Sequence, residues 1–420
     1  MRTREGEMHM RINGIIAEYN PFHNGHKYQL TESLRRTDAE YTVIVMSGNF
    51  VQRGAPALVD KYKRTEMALL NGADLVLELP ALYATASAEF FATGAVALLN
   101  QLNVVTDLCF GSECGDAQLL RQIAEILADE PKAYSQSLKR YLRQGLSYPN
   151  ARNEALIQNY PFLGQHKSVF SSPNNILGIE YIKAIIRSKS ALNPVTVQRT
   201  GAGYHSRLPQ ENGCSALAIR QALYAGTDDS FLKNNMPEEA ARVLSEQLSK
   251  TGLVHSNDFS DILYYKLVME KEHGYDKYLD VSSDLSDRIR SKLDEFRGFD
   301  NFCDLIKTKE MTYTRISRCL LHIMLSIKKT DMDRANALGT ALYARVLGFR
   351  KTASPLLGEI KEHSAIPLVT KLADADELLD KSARNMLHQD ICISQIYNGI
   401  TARQAGFAPI NEIATPLVII

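Results

Sequence analysis

Five short apolar runs, separated by helical patterns along the first half of the chain, restrict its fold more than any other feature. They are INGIIA (12–17), YTVIVMSG (41–48), ADLVLEL (73–79), VVTDLCFGS (104–112) and PVTVQRTG (194–201). Each is continuous in Val, Ile and Leu. A strand with one wet face alternates apolar and polar residues, whereas a strand covered on both faces does not. Helical stretches of suitable length, such as 61–72 and 85–101, lie between the runs. That βαβα order predicts an α/β fold on a doubly wound, Rossmann-like parallel sheet. In such sheets ligands bind beyond the carboxyl ends of the strands.

From about residue 226 the pattern changes. Charged helical stretches (236–250, 258–273, 279–296, 310–329) dominate, and no strand pattern appears before 365–370. The expected organisation is a disordered extension (1–9), an α/β domain (10–225) and a mainly helical carboxyl-terminal domain (226–420). Lys plus Arg and Asp plus Glu each number 48, so any attraction to nucleic acid has to be regional. Six cysteines (109, 114, 214, 303, 319, 392) form no CxxC pair. That argues against a disulfide framework or a zinc cluster and fits a reducing cytoplasm. No apolar run approaches the roughly 18 residues of a membrane helix, and MRTREGEMHM lacks the apolar centre of a signal peptide.

Directly after the first run comes EYNPFHNGHK (18–27). Pro21 keeps Asn20 out of helical geometry, so a helix can begin near Asn24. His23 and His26 would then lie together at its amino end, where free N–H groups and the helix dipole favour an anion. Gly25 leaves room for a phosphate to approach. Two imidazoles so placed can donate to a triphosphate, and those bonds strengthen as charge builds on departing pyrophosphate. The competing reading is two exposed histidines on a loop.

At these residues the sequence resembles the nucleotidylyltransferase superfamily, whose HxGH signature serves adenylyl transfer from ATP. The longer string GIIAEYNPFHNGH is similar to the bacterial tRNA(Met) cytidine acetate ligases. So are VMSGNFVQRGAPALVDKYKRTEMAL (45–69), LCFGSE (108–113) and SSPNNILGIEY (171–181). The resemblance implies that ATP, with Mg2+ bridging its phosphates, activates acetate to acetyl-adenylate and releases pyrophosphate. The acetyl group then passes to the wobble cytidine of elongator tRNA(Met), giving N4-acetylcytidine. It also implies that Gly14, Ile15, Ile16, Ala17, Glu18, Tyr19, Asn20, Pro21, Phe22, His23, Asn24, Gly25, His26 and Lys27 form an ATP loop, with His23 and His26 catalytic. Gly111 would lie under adenine or ribose, Asn174 or Asn175 would supply an amide, Arg199 a guanidinium for phosphate and Thr200 a hydroxyl. Ser215 and Arg220 match a second phosphate motif, in which Leu217 stands where a threonine usually offers its hydroxyl. The cytidine amine attacks an already activated mixed anhydride, so no Ser/His/Asp set is needed. A small-molecule adenylyltransferase or a carboxylate–amine ligase of the same superfamily is the alternative, and a nucleotide-binding RNA scaffold without catalysis is a third reading.

Two segments have the charge to meet RNA. Residues 131–153 hold five basic residues, no acidic one and three tyrosines (134, 141, 148). Bases can stack on such rings while Lys139, Arg140 and Arg143 neutralise phosphates. Residues 303–352 hold ten basic against four acidic residues, net +6. There Ile316, Cys319, Leu320, Ile323, Met324 and Ile327 make an apolar stripe at helical spacing, which leaves Arg315, Arg318, Lys328 and Lys329 for solvent or a partner.

Overall fold

The computed structural model describes residues 10–199, 214–227 and 229–420. The expected extension 1–9 and the candidate Thr200 lie outside the described residues. All five apolar runs form strands: β1 (Ile12–Ala17), β2 (Tyr41–Ser47), β3 (Leu75–Leu79), β4 (Asp107–Ser112) and β5 (Asn193–Gln198). They pair in parallel in the order β3-β2-β1-β4-β5. Successive side chains point to opposite faces, and both faces are dry except along the edge strand β5, where Asn193 and Gln198 are exposed. Ile12, Ile16, Val43, Val45, Leu75, Leu77 and Phe110 pack with α3 (Ala88–Gln101), α4 (Ala117–Asp129) and α5 (Pro173–Ser188). Ile15, Ile44, Met46, Val76 and Cys109 pack with α1 (Asn24–Thr37), α2 (Lys61–Leu70) and α6 (Ala216–Tyr224). The sheet is doubly wound, as the continuous apolar runs require.

The carboxyl-terminal half also contributes to this sheet. β6 (Ala344–Phe349) runs antiparallel against β3, and the short strands β7 (Leu368–Val369) and β8 (Val418–Ile419) pair with β6 in parallel. The expected boundary near 225–229 therefore does not coincide with an edge of the sheet. β6 escaped the sequence reading because its pattern is broken by Arg345 and Gly348. Arg345 is buried by ion pairing with Glu78 and Glu412, at 2.7 Å each. Gly348 is needed because a Cβ there would press on the backbone of Val418. The rest of this half is helical, as expected, with elements at Glu238–Thr251, Ser260–Glu270, Ser283–Lys292 and Tyr313–Met324. The stretch 310–329 is not one helix: it stops at Leu325, and Ser326 takes a positive φ of 58°.

A buried charge network joins the two halves. The Lys61 ammonium, from α2, contacts Glu78 of β3 at 2.7 Å, Glu412 at 2.6 Å and the Ser394 hydroxyl at 2.9 Å. Ser394 belongs to the long helix Lys381–Ala405, and Glu412 to the terminal turn Glu412–Ala414. Burial works against the Glu412 charge, but Lys61 and Arg345 hold its carboxyl down at about 2.

Candidate active site

The carboxyl ends of β1, β4 and β5 and the amino ends of α1 and α6 surround an open cleft, with about 1080 Å3 of empty space including the solvent at its mouth. Its polar lining includes Glu18, Asn20, His23, His26, Gln52, Arg53, Asn174, Arg199, Ser215 and Arg220; Phe91, Phe110, Leu177 and Tyr181 supply apolar wall.

The histidines sit at the start of α1, which begins at Asn24. His23 is the helix cap: its Nδ1 accepts from the Gly25 N–H at 3.0 Å. His26 Nδ1 accepts in turn from the His23 N–H at 3.3 Å, and the rings stack with centroids 3.8 Å apart. This is a capping box made of two imidazoles. An Nδ1 that accepts a hydrogen bond on a neutral ring leaves the proton on Nε2. Each ring therefore keeps one N–H donor for a ligand. Burial, reinforced by Arg199 and Arg220, lowers His23 to about 3. Burial, then His23 and Arg199, drives His26 well below its ordinary value. Both rings are neutral donors at pH 7.

Gly25 has a reason other than the one expected from sequence. A Cβ there would stand 2.8 Å from Cε1 of His23, so glycine makes room for the capping ring itself. Gly25→Ala is expected to displace that ring, uncap α1 at a cost of about 1 kcal/mol and weaken nucleotide binding. Urea unfolding and calorimetric titration with an ATP analogue measure the two effects separately.

The amino ends of α1 and α6 face this cleft, as does the first turn of α5, which carries Asn174. Ser215 caps α6 by accepting from the Ala218 N–H at 3.2 Å, and Arg220 donates to the Asn20 carbonyl from the same helix. Leu217 lines the cleft too, with a methyl surface where a hydroxyl was sought. On the opposite wall Gly111 lies against the Arg199 side chain. Of the two asparagines, Asn174 lines the cleft, with its amide donating to Glu113 at 2.7 Å. Asn175 is buried, and its side-chain oxygen accepts from Ser112 Oγ at 2.7 Å and from the Glu113 N–H at 3.0 Å. Burial lowers the Arg199 and Arg220 guanidiniums from their usual value, a cost that a phosphate ligand would relieve.

The expected loop divides in two. Ile16, Ala17, Glu18, Tyr19 and Asn20 line the cleft with the histidines. Gly14 lies beneath α3, where a Cβ would meet Leu99 at 2.9 Å, and Ile15, Pro21 and Phe22 are buried behind the cleft. Asn24 and Lys27 are exposed on α1. Sequence reasoning missed Arg64, which is fully buried in α2. Its guanidinium donates to the Glu18 carbonyl at 2.7 Å, Ser47 at 3.0 Å and Val59 at 3.1 Å, and also to Gly48. It ties the end of β1 to the end of β2 and so sets the entrance angle of the histidine loop. Gln52 and Arg53 were missed as well; all three lie in the quoted block 45–69.

Of the RNA candidates, Lys139, Arg140 and Arg143 are exposed on the helix Lys132–Arg143, with Arg140 5.1 Å from the Tyr141 ring centroid. Tyr148 is exposed, whereas Tyr134 is buried. Arg315, Lys328 and Lys329 are exposed. Arg318 is not: it is largely covered and 3.7 Å from Asp280. Helical spacing shows which residues leave the apolar stripe, but not that a distant aspartate meets one of them.

The model of the HIGH Nucleotidyl Transferase family matches residues 10–408. The tRNA(Met) cytidine acetate ligase of Clostridium kluyveri is 42% identical, covering 98% of this chain and 99% of its own. The Acetivibrio thermocellus protein of that name is 40% identical over 92% and 94%. The crystal structure of Thermotoga maritima TmcAL bound with alpha-thio ATP superposes with a TM-score of 0.89 at 30% identity, covering 98% of this chain and all of that one. The apo form gives 0.91. By its matched length and its relatives, the chain belongs to the tRNA(Met) cytidine acetate ligase family of HIGH nucleotidyl transferases.

Proposed function

We propose that this protein activates acetate with ATP to acetyl-adenylate and transfers the acetyl group to the wobble cytidine of elongator tRNA(Met) in the cytoplasm. The observation that carries the reading is the neutral histidine pair at the start of α1, in a chain 42% identical to a protein bearing that activity as its name. ATP would lie with its triphosphate against the amino ends of α1 and α6, and its nucleoside toward Gly111 and Asn174. His23 and His26 would donate from Nε2 to the phosphates that become pyrophosphate, while Arg199 and Arg220 balance the remaining charge. Arg64 would hold the loop in place through backbone carbonyls, and the apolar wall would exclude water from the adenylate.

Glu18 is the one carboxylate among the described residues that line the cleft, and no described cluster of three His, Cys, Asp or Glu could hold a metal. That donor set suits Mg2+ that enters on ATP, coordinated mainly by phosphate oxygens. Bound so, it would neutralise phosphate charge. Acetate-dependent ATP–pyrophosphate exchange without RNA tests the reading. Exchange stimulated by nicotinate mononucleotide or pantoate, and not by acetate, would favour the small-molecule alternative instead.

RNA would be gripped by the exposed basic residues. Reversing Lys139 and Arg140 to glutamate, or Arg315 alone, is expected to weaken tRNA binding and leave acetate-dependent exchange near normal. Each lost phosphate contact should flatten the slope of log affinity against log salt by roughly 0.7–0.9. Titrations at three salt concentrations measure it; an unchanged slope would make these residues ordinary surface. Arg318 is left out because its loss would orphan Asp280.

A further inference from the structure

Among the described residues three guanidiniums line the cleft, and two of them, Arg199 and Arg220, were assigned above to the phosphates. Arg53 comes from elsewhere: the hairpin Phe50–Val51/Ala55–Pro56 beyond β2. That hairpin is fixed on three sides. The Gln52 N–H donates to Glu18 Oε1 at 3.0 Å. Phe50 and Val51 are buried. Behind it, Gly54 has φ +76° and a Cβ there would strike the backbone of Arg318, while the Ser317 hydroxyl donates to the Gly54 carbonyl at 2.8 Å. A long cationic side chain is thus delivered into the cleft from a rigid support.

We propose that Arg53 binds the carboxylate of the acid substrate and holds it against the α-phosphate. This rests on the ligase reading above. The chemistry calls for such a cation. One carboxylate oxygen forms a bond to the α-phosphorus while the bond to the bridging oxygen breaks, and pyrophosphate leaves with the electron pair. No proton moves and no oxidant is needed, but two anions must come into contact, and their repulsion grows as water is excluded. A planar guanidinium can grip one carboxylate through two parallel N–H donors, which an ammonium cannot. Glu18 and Arg220 are the charged groups that act most on Arg53. Burial lowers Arg53 from its usual value, as does Arg220 more weakly, and Glu18 opposes the shift. Glu18 and Ser317 are then positioning residues, acting through the hairpin.

The test uses the full chain with α,β-methylene-ATP and 13C-acetate. Wild type should broaden the acetate resonance only when the nucleotide analogue is present. Arg53→Gln should weaken acetate binding, and raise the acetate KM in exchange, by about ten- to a hundredfold, while analogue affinity stays within about twofold. Arg53→Lys, which keeps the charge and covers the case in which the glutamine variant does not fold, should fall between. Acetate binding unchanged in both variants, or analogue affinity lost in equal measure, would overturn the assignment, as would wild type that never binds acetate. Wild type that binds acetate through Arg53 yet shows no exchange would support the subsite and strike the ligase reading instead.

Discussion

His23→Ala and His26→Ala should each slow adenylate formation by about 10²–10³-fold, the scale for losing one donor that bonds more strongly in the transition state. The two are not independent, because each ring positions the other through the capping box. The double variant should therefore lose much less than the product of the single losses. The pH behaviour follows from the same geometry. With His23 at about 3 in the free protein, the profile of kcat/KM for ATP should show no acid limb near pH 6.5, where an ordinary histidine would titrate. Stability should respond in that range. The unfolded chain takes up protons that the folded rings refuse, so the contribution of the pair is complete above about pH 6.5 and is withdrawn as pH falls toward 3. Pyrophosphate-exchange rates from pH 5 to 8 decide the first point, and urea melts over the same range decide the second. Near-normal exchange in both alanine variants would remove the histidines from the chemistry.

Lys61→Met should destabilise the fold by about 3–5 kcal/mol, because it leaves Glu78 and Glu412 buried with Arg345 as their shared cation. Lys63→Met, two residues away, is the control. Its partner Glu66 is partly exposed, and loss of a pair at the surface costs about 0–1 kcal/mol. Acid sensitivity should change as well. Glu412, held at about 2 against an ordinary 4.5, stabilises the fold above pH 4.5 and loses that contribution as pH falls through the window to 2. Removing Lys61 should shrink this limb. Urea midpoints at pH 7 and pH 4 for the three proteins measure both effects, and equal midpoints for Lys61→Met and wild type at pH 7 would refute the account of the network.

What was legible in the sequence was whatever depends on neighbours along the chain. Continuous Val, Ile and Leu runs pointed to two dry faces, and all five became strands of one sheet, with β5 partly exposed at its edge. The helix start at Asn24 followed from Pro21 and the residues after it. What was hidden depends on residues far apart. Arg345 looks like a surface charge until Glu78 and Glu412 reach it from 267 positions before and 67 after. Arg318 looks free until Asp280 is beside it, and Arg64 looks like one more helical cation until four carbonyls converge on it. Gly25 was recognised as necessary, but the ring it makes room for is the protein's own. Asn174 and Asn175 could be separated only by seeing which of them faces the cleft.

The most direct test of the central claim is transfer of label from 14C-acetate to elongator tRNA(Met) in the presence of ATP and Mg2+, followed by nuclease digestion and identification of the modified nucleoside. The expected result is N4-acetylcytidine at the wobble position, formed with ATP and acetate and absent from a transcript carrying uridine there. Acetate-dependent pyrophosphate exchange with no label in any tRNA, or label that persists in the uridine transcript, would contradict it.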